Sequence, residues 1–569
     1  MRIKHFFGLA VLAAMTASCS SNNELENGGN GSGENESGVG YATLSINLPT
    51  TSGTRAAGDP EFKPGTADEY DVKDVTLLIF KKAGTSEGEY TYVETADLGT
   101  MAPWIKDNDN NGITTAATIT AKLSSVDLNG DYYALAILNN KDKNNDLKVT
   151  TPTTSGQTYN DWNKANNADG EKFADNKNGF YMANAPQFST GTPTTLVKID
   201  KVYATKQAAE TSKATTIHVE RGLAKVTVAS LPTNLTPTGT KYNSDKVDIT
   251  AWNLDVTNKS TFPIHSLTDL TTNFTTIWSA STDPAPSTGR FVDGSNTAFK
   301  RVYWGVDPNY STDYTTVTDC EKAFNVLPAN AVINGDATTP QYCLENTFDI
   351  NHMKQGQTTR VVFKAKYTPN GFTAGETFYK IGNNTDLWKK ANLEAQIKAK
   401  ALEALNETDV DKVTVTLDAT ENDIAGTAGT KILKEANVQH NGTNVSSTEI
   451  NAINEKLGLK AAGTDPIVGI ATYTSGESYY IARIKHFGDD LTPWNAGDDT
   501  YGTDNVKYLG RYGVLRNNWY ELTVNSVSGP GTPDVPTIKP TDPDDENYKY
   551  ISVSVKILDW AKRSQSVDL

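Results

Sequence analysis

Apolar residues in this chain recur at every second position over short segments, a spacing that a β-sheet buries and a helix does not. Tyr41 to Leu48 sets Leu44, Ile46 and Leu48 on one face and Thr43, Ser45 and Asn47 on the other, and Pro49 ends the run. Arg360 to Tyr367 and Trp519 to Val524 alternate in the same way. Asp74 to Phe80, Tyr132 to Leu138 and Val247 to Val256 read as more fully buried strands, and Ile217 to Val228 as a strand bent at Gly222. Leu387 to Leu405 is the one helical pattern, with Leu387, Ile397, Ala401, Leu402 and Leu405 as its apolar positions. A length of 569 residues leaves room for two to four domains. The abundance of Thr, Asn, Asp, Gly and Tyr suits short strands joined by turns, so β-sandwiches are expected, with a boundary near Thr215 after the polar stretch from Lys206.

The two ends have their own logic. Arg2 and Lys4 precede an apolar run, Phe6 to Ala14, too short for a stable membrane span, and Ala17 and Ser18 lead into Cys19. This pattern is that of a lipoprotein signal, residues 1–18, with Cys19 acylated; Thr16 stands where Leu is usual, and an ordinary signal peptide cut near Ala17 is the alternative. Ser20 to Gly40 is a polar, Gly-rich tether. Beyond the alternating strand, Thr50 to Pro60 has no periodicity and holds Arg55, the first basic residue after Cys19. Exposed loops are where proteolysis concentrates, so Arg55 is either a solvated linker residue or the site, with Ala56, of a cut that would release the strand before it.

At the other end, Gly529 to Asn547 carries Pro530, Pro533, Pro536, Pro540 and Pro543 with several acidic residues, which favours an extended, semi-rigid spacer. Tyr550 to Ile557 then alternates strictly, with Ile551, Val553, Val555 and Ile557 on one face and Ser552, Ser554 and Lys556 on the other, and Trp560 continues the apolar content. Such a strand can fold back on its own domain or add to a sheet of another molecule. Four buried side chains of this kind contribute roughly 6–12 kcal/mol before the ordering of the arm is subtracted.

Little in the sequence points to chemistry. A formal net charge of −16 disfavours nucleic acid and anionic membrane as partners. Gly84-Thr85-Ser86-Glu87-Gly88 spells the serine-hydrolase elbow among turn formers, with no helix to follow. Asp107 to Gly112 begins like a calcium loop but has Thr118 where a bidentate Glu belongs, so a polar turn is the reading. The six histidines lack metal-ligand spacing, and no metal or cofactor is expected. Cys320 and Cys343 are either a disulfide or two separate buried thiols.

Several segments in order along nearly the whole chain resemble Bacteroidetes-type fimbrillins, in particular the major, shaft-forming subunit of short fimbriae. They are Cys19, the Thr54-Arg55-Ala56 junction, Val219 to Val226, Leu344 to Thr347, Gly513 to Tyr520, Val553 to Trp560 and Ser566 to Leu569. The resemblance implies a mainly β fold of two tandem Greek-key, transthyretin-like β-sandwiches, residues 56–215 and 216–528, with a minor helical insertion. It implies a propeptide, 19–55, cut after Arg55 by an Arg-specific protease, and a C-terminal arm, 529–569, that serves as donor strand. It further implies a non-enzymatic surface subunit that transits as an outer-membrane lipoprotein. The implied partners are copies of itself, anchor and tip subunits, and host or bacterial surface ligands in adhesion and biofilm formation. A tip adhesin and a lipid-anchored glycan-active protein are the alternatives.

Overall fold

The computed structural model describes residues 38–48, 66–96, 98, 116–165, 168–188, 193–267, 300–382, 384–417, 423–424, 427–460, 468–487, 492, 507–544 and 551–558. The fold is mainly β and is spread over several sheets. The first sheet takes β1 (Gly40–Asn47), β2 (Val75–Lys81), β3 (Thr91–Thr95), β4 (Ala116–Leu123), β5 (Tyr132–Leu138), β6 (Met182–Asn184) and β7 (Thr215–Arg221). Their spatial order is β3-β2-β5-β6-β7-β1-β4. Leu77 to Phe80 and Ala134 to Leu138 are almost wholly buried, as expected for strands whose two faces are covered.

The chain changes sheets at Gly222. The strand beginning at Thr215 pairs with β1 and β6 in the first sheet, so the switch comes later than the boundary expected near Thr215. The expected bend has a steric cause: a Cβ at Gly222 would lie 2.3 Å from the Phe173 ring and 2.9 Å from Tyr181. Past it, β8 (Leu223–Val228) enters a second sheet, and β9 (Lys246–Asp255) a third. The second sheet is completed by β10 (Gln341–Leu344) and two later strands. In the third, β11 (Arg360–Thr368) pairs along the whole length of β9. Val226 and Val228 of one sheet share an apolar cluster with Val247, Trp252, Val361 and Phe363 of the other, so the two sheets face each other across one core.

Between β11 and the next strand of its sheet lies an insertion with its own apolar cluster. It holds β12 (Phe378–Ile381), α1 (Lys390–Leu405), α2 (Ser447–Lys456) and β13 (Ile470–Tyr473). The helix expected from Leu387 starts at Lys390, because Leu387 and Trp388 extend to pair with Lys380 and Tyr379 of β12. Leu393, Ile397 and Ala401 form the buried stripe of α1, and Asn406 ends the helix at φ 51°. Helix α2, which is not among the elements expected from the sequence, buries Ile450 and Ile453 and is opened by a capping box, Ser446 with Glu449.

After the insertion, β14 (Glu477–Arg483) pairs with β11, β15 (Trp519–Val527) joins β8, and β16 (Ile551–Leu558) forms the edge beyond β15. The proline-rich stretch between β15 and β16 is not the free spacer expected from its composition. Tyr480 donates its hydroxyl to the Gly529 carbonyl at 3.0 Å and Tyr473 to that of Gly531 at 2.7 Å. Thr532 and Tyr479 exchange both backbone bonds at 2.9 Å, and Val535 and Ile538 are buried. Asp544 ends this strap in an ion pair with Arg483 at 2.9 Å, both about 1 % exposed, and it also accepts from the Thr358 hydroxyl. Pro removes donors but leaves carbonyls, so the segment docks through its carbonyls and through N–H groups of the residues between its prolines, Thr532 and Val535 among them. Removing one member of such a buried pair strands the other charge. Asp544→Ala is expected to cost roughly 3–5 kcal/mol, read as a lowered urea midpoint; a midpoint within experimental error of the native chain would show the strap to be unanchored.

Candidate functional site

Strand β1 lies inside the first sheet, hydrogen-bonded on both sides. It runs parallel to β7, with Leu44 opposite Thr215 and Ile46 opposite Ile217. It runs antiparallel to β4 along all eight residues, from Gly40 opposite Leu123 to Asn47 opposite Ala116. Leu44, Ile46 and Leu48, the residues expected on the removable face, are at most 2 % exposed, and Ala42 is fully buried beside them. Tyr41 exchanges two backbone bonds of 2.8 Å with Tyr203, and the Thr43 and Thr120 hydroxyls meet at 2.9 Å. The slot that β1 fills is graded in depth. It takes large side chains at Leu44, Ile46 and Leu48 and a methyl at Ala42, and it closes at Gly40, where a Cβ would lie 2.3 Å from Val202 and 3.1 Å from Val126.

The second site residues named from sequence, Ile551, Val553, Val555 and Ile557, lie on β16. That strand is also eight residues long and pairs antiparallel with β15 of the same chain, Val553 opposite Val524 and Ile557 opposite Tyr520. Of the two fates open to the C-terminal strand, this chain adopts the folded-back one. Cys19, Arg55, Ala56 and Trp560 lie outside the described residues, as does the Asp107 to Gly112 turn. Cys320 and Cys343 are free thiols buried in separate apolar clusters, so the disulfide left open by the sequence is not formed. Burial pushes the Cys320 thiol up to about 11 and that of Cys343 to about 12, which leaves both unreactive. Ser86 of the elbow-like pentapeptide caps a short turn, its hydroxyl donating to Glu89 at 3.0 Å.

Three of the segments that carry the resemblance meet in one buried polar junction between the first and second sheets. Asn517 accepts from the Arg221 backbone at 3.2 Å, and Lys225 donates its backbone N–H to the Asn518 carbonyl at 2.9 Å. Asn346 and Val514 exchange backbone bonds of 2.7 and 2.9 Å. The Arg516 guanidinium donates to the Phe262 and Pro263 carbonyls and to the Thr261 hydroxyl, and its Nε stands 3.4 Å from Glu345. Trp519 donates its indole N–H to Thr227 at 2.8 Å. These contacts join residues far apart in the sequence and need charged and amide residue types at fixed positions of those segments.

Residues 471–566 match the C-terminal family of type IV major fimbrial subunit proteins, the fimbrillins. The match runs from within β13 through β14, β15 and the strap past the end of β16. The C-terminal part of the chain is thus similar to the fimbrillins. Among solved structures it is similar to two Parabacteroides distasonis chains assigned to cell adhesion. One is 10 % identical, with 92 % of this chain and 98 % of that chain covered and a TM-score of 0.36. The other is 11 % identical, with 92 % and 100 % covered and a TM-score of 0.33. A fimbrial assembly protein of the same organism is 13 % identical over 61 % of this chain and 94 % of its own, with a TM-score of 0.25. No curated protein matches the chain.

The junction also holds a buried histidine whose neighbours favour its charged form. His265 lies between the Glu220 carboxylate, 3.0 Å from Nδ1, and the Trp304 carbonyl, 3.0 Å from Nε2. Both neighbours are acceptors, so both ring nitrogens must donate. Burial opposes the charge, but Glu220 and Glu345 outweigh it and Arg516, and the pKa is raised above the ordinary 6.5. A raised folded-state pKa gives stability that is full below the ordinary value and is lost as pH rises through the raised one. The thermal midpoint is therefore expected to fall as pH increases above neutrality, and His265→Gln should remove that component. A native and a His265→Gln chain with parallel pH profiles would contradict the assignment.

Proposed function

We propose that this chain is a fimbrillin, a structural, non-enzymatic shaft subunit of surface fimbriae, exported as a lipoprotein on Cys19 and matured by an Arg-specific protease that cuts between Arg55 and Ala56. The observation that carries the reading is the interior position of β1. A strand at a sheet edge could be lost with one ladder, whereas loss of β1 opens two facing rows of unpaired backbone groups on β7 and β4 over an apolar floor. Such a slot selects another strand. The chain supplies a strand of the same length in its C-terminal part, with the same every-second-residue pattern, at a sheet edge among the described residues. One slot and one donor per chain are what an open head-to-tail polymer requires.

In this mechanism Tyr41 to Leu48 first serves as an internal placeholder. It keeps the slot from capturing strands during export. Cleavage converts it from a tethered segment into a separate peptide, and the donor strand Tyr550 to Leu569 of a neighbour then takes its place. The donor must unzip from β15 to do so, which exchanges one ladder for two. The two cores would be the Greek-key, transthyretin-like sandwiches of the resemblance, with anchor and tip subunits ending the fibre and surface ligands met in adhesion. A tip adhesin needs only one of the two working ends, and this chain has both features.

Two variants test the mechanism on cells. Arg55→Ala should leave full-length, lipidated monomers and no fibres. Deletion of Tyr550 to Leu569 should leave a folded monomer that cannot polymerise. Normal fibres from either variant, seen by electron microscopy, would contradict the reading.

A further inference from the structure

The segment on the C-terminal side of the Arg55 junction is fastened to the far side of the molecule. Chain enters the described region again at Thr66 and makes a single turn, Ala67–Tyr70, before β2. Glu69 in that turn is 1 % exposed. Its carboxylate forms an ion pair of 2.7 Å with Lys225 of β8, which is 3 % exposed, and accepts from the Tyr342 hydroxyl of β10 at 2.9 Å. The Glu69 carbonyl accepts from Nε of Arg221 at 3.0 Å, and the Arg221 guanidinium lies 4.6 Å above the Tyr70 ring. The Lys225 ammonium in turn lies 3.9 Å from the centre of the Trp519 ring on β15. Two strands of the second sheet thus close on one carboxylate of the first module, and a third backs the lysine that holds it.

This arrangement is polar, and Tyr70 and Val72 are the buried hydrophobic residues among the described residues of the turn and its exit. A charge-assisted bond out of contact with water is short, directional and hard to exchange. It therefore fixes a point on the chain rather than a face.

We infer that Glu69, Lys225 and Tyr342 form a clamp that separates maturation from unfolding: it pins the new N-terminal segment to the second sheet, so that departure of β1 empties the slot without loosening β2. The inference rests on the reading that β1 is removed. A chain end is normally where fraying starts, and without a pin the end created by a cut would lie directly before a core strand. With it, fraying stops at Thr66. The clamp also ties the walls of the slot to the sheet that carries β16, so in a fibre the acceptor and donor ends of one subunit would be held as one body.

The test uses the full chain with a viral-protease recognition sequence placed in the 50–60 loop, so that the cut does not depend on Arg55. Amide hydrogen exchange over residues 67–81 is followed before and after cutting in the native background, in Glu69→Gln and in Tyr342→Phe. In the native background the cut should leave exchange of this segment unchanged. In Glu69→Gln, which strands the Lys225 charge and so raises exchange somewhat before the cut, the cut should speed it a further ten-fold or more, and in Tyr342→Phe, with little change before the cut, by a smaller factor. Tyr342→Phe keeps the comparison open if Glu69→Gln does not fold, since it removes a single hydroxyl. Native exchange that accelerates on cutting would overturn the clamp, as would variants that respond to the cut as the native chain does. Because the cut is engineered, fibres that form without cleavage at Arg55 would sink the maturation reading and leave this comparison to stand or fall by itself.

Discussion

Backbone pairing on both flanks of β1 is the constraint to which the other features answer. A peptide N–H or C=O in an apolar setting must find a partner, and the rows on β7 and β4 find theirs in one eight-residue segment. While that segment is part of the chain, its effective concentration at the slot far exceeds that of any strand from another molecule. Burial of Leu44, Ile46 and Leu48 adds roughly 1.5–3 kcal/mol each, which β1 shares with any replacement of similar apolar content. Side-chain burial therefore cannot by itself favour an exchange. The covalent tether decides which strand holds the slot, and a cut in the tether is the natural control point.

The C-terminal half shows the same economy of means. Its last described strand completes one ladder and, among the described residues, lies at the edge of its sheet. The strap before it is held by backbone bonds, two tyrosine hydroxyls and the Asp544–Arg483 pair, which fix the chain as far as Asp544. A docked strap reduces the entropy that a long arm would lose on ordering and directs the strand from a fixed point. Buried ion pairs add little net stability by themselves, but they define position well. Glu69 with Lys225 ties the turn before β2 to the second sheet, Arg483 with Asp544 ties the third sheet to the strap, and Arg360 with Asp255 joins two neighbouring strands of the third sheet.

Local repetition is the part of this fold that is legible in the sequence. The period-two pattern marks β1, β11, β15 and β16 to within a residue or a few at their ends, and Gly222 marks a real bend. Periodicity starts the helix after Leu387 three residues early, because extension of Leu387 and Trp388 depends on a partner strand and not on their own spacing. The fates of Cys320 and Cys343 turn on distances between clusters that spacing does not encode. The proline-rich stretch looks free in sequence because its anchors are backbone groups and a single acidic residue among several. The Glu69 clamp is hidden for the same reason, since Lys225 is 156 residues away; the Thr66 and Glu69 capping pair signals a turn there but not its partner.

The central claim is that the C-terminal strand leaves β15 of its own chain and fills the slot between β4 and β7 of the next. Thr118 on β4 is exposed and faces Ser45 of β1 across the ladder, and Ser554 lies in the middle of β16. With thiols introduced by Thr118→Cys and Ser554→Cys, and the native Cys320 and Cys343 buried, mild oxidation of fibres should yield a covalent ladder of subunits. Mass spectrometry of its digest should join the 118 peptide of one subunit to the 554 peptide of its neighbour when isotopically light and heavy subunits are mixed. Fibres in which that bridge is absent, or is found only within single chains, would contradict the account.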